Sequence, residues 1–116
     1  MEFRDSFYRF LREKFCGFKL FSGDNQINIS YKGKDYTISV GLLDNKYSFV
    51  NIETDSNNNR KVYLNLENMI YPGFLEVSFN GDSRVKKMRI LFNRQLLKDD
   101  VDFVWNLLRE FIRAVS

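Results

Sequence analysis

The chain has no histidine, one cysteine and one proline among 116 residues. Without histidine there is no Ser-His-Asp triad, no Cys-His nucleophile and no ordinary zinc site. Lone Cys16 cannot close an internal disulfide, so the chain reads as intracellular, in the reduced cytoplasm. Cys16 also follows a helical pattern and precedes Gly17, whereas a reactive thiolate needs a helix N-terminus or a histidine partner. No apolar run approaches the ~18 residues of a membrane span, and the charged start Met1-Glu2-Phe3-Arg4-Asp5 has no secretory character. The six glycines form no phosphate-cradling motif. The expectation is a protein without catalysis, cofactor, metal or membrane.

What the chain does have is aromatic bulk and a slight basic excess. There are 12 phenylalanines, and 18 basic residues stand against 15 acidic, a net charge of +3. This length suits a single compact domain over residues 1–116 that folds without metal or disulfide support. Phe, Tyr, Met, Ile, Asn and Lys far outnumber Gly, Ala, Arg and Pro. That bias points to an AT-rich genome, such as that of a phage or mobile element.

Hydrophobic period divides the chain into three. Residues 2–16 predict an amphipathic helix, with Phe3, Phe7, Tyr8, Phe10, Leu11 and Phe15 within an arc of roughly 160°. From residue 18 to 93 the pattern alternates: Ile27, Ile29 and Tyr31, then Tyr36, Ile38 and Val40, face one way. Further strands are expected at about 46–53, 60–66, 73–79 and 86–93. Gly23-Asp24, Lys32-Gly33, Asp44-Asn45 and Asn80-Gly81 supply turn chemistry. Residues 99–115 predict a second helix, with Asp99 as N-cap, Asp102 in its first turn, and Arg109 and Arg113 towards its negative end. The fold class is therefore α+β: N-terminal helix, an antiparallel meander of about six or seven strands, and a C-terminal helix packed on the sheet.

Two surface features suggest binding. Arg84, Lys86, Lys87, Arg89, Arg94 and Lys98 lie in one segment without an acidic residue. Period two puts Lys87 and Arg89 on the solvent face, where they suit a phosphate backbone or an acidic partner. Such charges also guard an edge strand. Second, Phe103 and Leu107 widen the apolar arc of the C-terminal helix to roughly 200°, about twice what one-sided packing needs. They are expected at a protein interface, together with Arg60, Lys61 and Tyr63. Leu42 and Leu43 add apolar surface in a turn region. The triplet Asp55, Asn57 and Asn59 resembles half a calcium loop, but Arg60 and Leu66 occupy the positions that need glycine and glutamate.

The function that fits is a non-enzymatic protein-binding module, of the size and style of phage anti-defence or toxin-immunity proteins, inhibiting a larger enzyme, a nuclease or a ribonucleoprotein. The alternative is an RNA- or single-stranded-DNA-binding module using residues 84–98. A further alternative is a homodimeric chaperone or adaptor, since the helix–sheet–helix order is similar to that of small bacterial secretion chaperones.

Overall fold

A computed structural model describes residues 9, 13, 19–22, 26–44, 46–56, 60–67, 69, 73 and 75–116. The expected N-terminal helix over residues 2–16, including Cys16, lies outside them apart from Arg9 and Glu13, both exposed. The described chain is α+β: an antiparallel sheet followed by a C-terminal helix. Its strands are β1 (Lys19–Ser22), β2 (Gln26–Tyr31), β3 (Lys34–Leu43), β4 (Tyr47–Asp55), β5 (Leu75–Asn80) and β6 (Val85–Phe92). A 3-10 turn at Lys98–Asp100 leads into helix α1 (Val101–Val115).

The order β1-β2-β3-β4-β6-β5 corrects the expected meander. The first four strands follow one another, but β6 enters between β4 and β5, pairing Asn51 with Arg89 on one side and Ser78 with Arg89 on the other. Lys32 and Gly33, with φ of 51° and 78°, form the tight β2–β3 turn. Gly33 takes this left-handed geometry freely, as such hairpins require.

Alternation fills the inner face of the sheet with Ile27, Ile29, Tyr36, Ile38, Val50, Ile52, Met88, Ile90 and Phe92, all buried. Against them α1 lays Val101, Val104, Trp105, Leu108, Phe111, Ile112 and Val115. Phe111 sits edge-on to Tyr36 at 6.5 Å and to Phe79 at 6.1 Å. This is the core, and no described helix is long and apolar enough to cross a membrane.

The expected strand at 60–66 is absent, although its alternation is real. Val62, Leu64 and Leu66 pack on the core while Lys61, Tyr63 and Asn65 turn outward. The backbone, however, bonds elsewhere than to a ladder. Val62 N–H donates to Gly81 O, and Asn65 N–H donates to the Glu110 carboxylate on α1 at 2.9 Å. Arg113 in turn donates to Tyr63 O. The segment is therefore a second wall beside the helix.

That wall corrects the reading of Leu107. Its side chain is wholly buried and that of Phe103 is half-buried against the core. The wide apolar arc is explained by two packing surfaces, the sheet and the wall residues Val62, Leu64, Leu66 and Met69, so Leu107 is not an interface residue.

The wall needs a bare backbone at Gly81. A Cβ there would lie 2.5 Å from Val62 O and 2.7 Å from the Phe79 ring, whereas one at Gly73 would meet nothing within 4 Å. Gly81→Ala is expected to destabilise by about 1–3 kcal/mol through overpacking. Gly73→Ala should stay within about 0.5 kcal/mol of the parent. Urea unfolding of the two variants side by side checks the contrast.

Candidate functional site

The basic segment is brought to the surface in pieces. Lys86 shares parity with Met88, Ile90 and Phe92 and is completely buried. Its Nζ donates to Arg60 O at 2.7 Å and to Ser83 O. Lys86 is thus removed from the expected basic stripe, because a strand residue two places from Met88 faces the core. Arg84 bonds Asp55 at 2.9 Å, and Lys87 lies 3.6 Å from Glu53, its cross-strand neighbour. Arg89 donates to Asn51 at 3.0 Å and covers the Phe49 ring at 5.3 Å. Lys98 is exposed on the 3-10 turn.

Arg94 is a structural clamp. Its guanidinium makes two parallel 2.7 Å bonds to Asp100, whose carboxylate also accepts the Leu97 N–H at 2.8 Å. Asp100, and not the expected Asp99, holds the entry to α1. Two-pronged pairing of this kind is among the stronger charged contacts. Burial pushes the Asp100 carboxyl up, but the Arg94 fork and the Leu97 amide outweigh it and hold it below the ordinary aspartate value. The Arg113 bond holds Glu110 low, against the opposing effect of burial.

The open face of the sheet is polar in its middle. Thr37, Ser39, Asn51, Glu53, Ser78, Asn80, Lys87 and Arg89 line a concavity of about 400 Å³. Towards the β3–β4 turn the same face becomes apolar. Leu43 pairs with Tyr47 across the ladder, and in the next row Phe49 pairs with Leu91. Leu43 and Tyr47 are each close to 40% exposed, as is Leu42, which pairs with buried Ser48 and so lies at this end on the opposite side of the sheet. Leu97, 58% exposed, belongs to the same end, since Leu96 N–H donates to Ser48 Oγ and Ser48 N–H to Arg94 O. The sequence pattern singles out Leu42 and Leu43 but not Tyr47 or Leu97. Period two would have joined Tyr47 to Leu43, whereas Leu97 is placed by a tertiary hydrogen bond.

At the other end of the sheet lie Arg60, Lys61 and Tyr63, all exposed and apart from Phe103 and Leu107, with which the sequence pattern groups them as interface residues. Tyr63 is 68% exposed, with the Lys61 ammonium over its ring at 5.3 Å. Lys61 also reaches Asp82 at 3.6 Å. The structure adds Lys34 and Arg113 beside them around a cleft of about 480 Å³. These positions are far apart in sequence and therefore invisible as a motif.

Asp100 gives a pH test. A carboxyl held low by folding stabilises the native state above its unfolded value near 3.9, and that stability is lost as pH falls through the lower folded value. Asp100→Asn is expected to cost about 2 kcal/mol at neutral pH. The deficit relative to the parent should shrink steadily below about pH 4. Urea unfolding of both proteins from pH 7 to pH 2 measures it, and a constant deficit would contradict the assignment.

Compared with known proteins, the chain matches no family model, no curated protein and no solved structure.

Proposed function

We propose that this chain is a noncatalytic binding protein that acts by protein–protein contact, engaging its partner with the β3–β4 end of the sheet. The observation that carries the reading is the grouping there of exposed apolar side chains. Leu43 and Tyr47 stand out from the open face, where half-buried Phe49 and Leu91 extend the patch, and Leu42 and Leu97 add exposed apolar surface around the same end from the side of Ser48. Grouped apolar exposure of this sort is the usual mark of a contact surface. Polar groups surround it: Asp44, Lys46, Lys98 and Asp99 are exposed, and Arg89 covers Phe49. An apolar centre with a charged rim is the common anatomy of a specific interface.

The partner is a different protein. Six partly covered apolar residues fall short of the roughly 2,000 Å² or more that obligate homodimers bury. The contact suits a small inhibitor that sits on a larger enzyme or nuclease in the manner of anti-defence or immunity proteins. Nucleic-acid binding through residues 84–98 has weaker support. Arg84, Lys87 and Arg94 have carboxylate partners, and Lys86 is inside. Counterion release needs cations free to meet phosphates.

Capture from the native host with tagged protein, with and without nuclease treatment, tests the proposal alongside light scattering of the purified chain. The expected result is a monomer that retains one protein partner after nuclease treatment. The double variant Leu43→Asp/Tyr47→Asp, shown to be folded by circular dichroism, should bind that partner at least tenfold more weakly. Undiminished binding by the folded variant, release by nuclease, or a concentration-dependent dimer that the variant abolishes would each overturn it.

A further inference from the structure

We infer that Asn80 is a site of spontaneous covalent modification, where the Gly81 nitrogen displaces ammonia from the side-chain amide and water completes the conversion to aspartate or isoaspartate. Asn80 is the one asparagine in the chain followed by glycine. At every other asparagine the next residue carries a side chain that crowds the attacking nitrogen. Both members of the pair have a place in the fold. Residue 81 has no room for a Cβ, which would lie 2.5 Å from Val62 O. Asn80 supplies the oxygen that accepts the Asp82 N–H at 3.2 Å. The structure therefore requires the very dipeptide that is chemically labile.

The reaction is an intramolecular acyl transfer. Hydroxide removes the Gly81 N–H proton, the nitrogen bonds to Asn80 Cγ, and the Cγ–Nδ2 bond breaks. Nδ2 leaves as ammonia, taking a proton from water, and a five-membered succinimide remains. Water opens this ring at Cγ to give aspartate, or at the main-chain carbonyl to give isoaspartate. The reacting groups are adjacent, so no encounter step is needed. Negative charge developing on Oδ1 meets the Asp82 N–H that already donates to it. Asn80 is exposed to water and is the last residue of β5, so the peptide bond beyond it lies outside the ladder. Gly81 is anchored to the wall through its carbonyl oxygen, which accepts from Val62 N–H, rather than through its nitrogen. Asn65 isolates the part played by glycine. It is also exposed and accepts the Glu67 N–H at the same 3.2 Å, but Leu66 follows it.

The two products act differently. Aspartate at position 80 keeps the acceptor for Asp82 N–H and places a carboxylate across the ladder from Lys87. Isoaspartate inserts a methylene into the main chain just before Gly81. That moves the Gly81 carbonyl away from Val62 N–H, at a point where one added carbon already collides with Val62 O. The wall is thereby loosened from the sheet. The modification is a slow, one-way change at the end of the sheet opposite the apolar contact surface.

Ageing the purified full chain at mildly alkaline pH, followed by tryptic digestion and fragmentation mass spectrometry, tests the assignment. Asn65 and Asn80 fall in one tryptic peptide, residues 62–84, so the comparison is internal. The expected result is a gain of about one mass unit at Asn80, appearing about tenfold faster than at Asn65 and accelerating with pH. Enzymatic methylation of isoaspartate should label the same peptide. In urea, the isoaspartate fraction should unfold earlier than the Asn80→Asp variant. Conversion at Asn80 no faster than at Asn65, or conversion in the urea-unfolded chain but not in the folded one, would overturn the site. An isoaspartate fraction as stable as Asn80→Asp would overturn the loosening of the wall.

Discussion

An ammonium placed inside an apolar core has to be given acceptors, and much of this architecture follows from how Lys86 obtains them. Its strand position sends it inward beside Met88, and the carbonyls of Arg60 and Ser83 close over it. That fixes the start of the wall segment against the sheet. The wall then carries Val62, Leu64 and Leu66 along α1 and turns Arg60, Lys61 and Tyr63 outward. Ser48 and Thr54 do related work at the two ends of β4. Ser48 accepts from Leu96 N–H, and Thr54 donates to Asp35 O at 2.6 Å. The three buried polar side chains among the described residues therefore all lie near strand ends, where loop backbone can reach them. The middle of the inner face is left entirely apolar.

The two ends of the sheet consequently differ in kind. One end, around the β3–β4 turn, shows apolar side chains in a polar frame. The other concentrates positive charge around the last turn of α1, where exposed helix carbonyls also need donors. Lys34 meets one of them at Val115. Between the ends, neutral Ser, Thr and Asn residues cover the open face, and its charges are largely matched across strands by Glu53 and Asp55. A molecule arranged this way presents two chemically distinct surface regions.

Much of this was legible in the sequence wherever one periodicity acted alone. Alternation in Ile27, Ile29, Tyr36, Ile38 and Val40, and the turn at Lys32-Gly33, gave the early strands directly. The pattern is ambiguous where two influences meet at one residue. Lys86 belongs to a basic run by charge but to the core by parity with Met88, and parity decides its place. Residues 60–66 alternate as a strand does, but nothing local reveals that their bonding partner is a helix side chain, Glu110. Leu107 looked surplus because one packing surface was counted where there are two. The cleft was half visible: Arg60, Lys61 and Tyr63 are neighbours in sequence, whereas Lys34 and Arg113 arrive only through tertiary folding.

The strand order has a consequence during synthesis. Because β6 belongs between β4 and β5, the whole stretch from 47 to 92 must leave the ribosome before the sheet can close. Until then β4 offers an unpaired backbone edge, the kind of template on which nascent chains mispair. The apolar inner residues of β4, Val50 and Ile52, would be uncovered for the same interval, since α1 emerges later still. The nascent chain thus passes through a sticky, half-built stage in which the cell's chaperones have a specific stretch of β4 to shield.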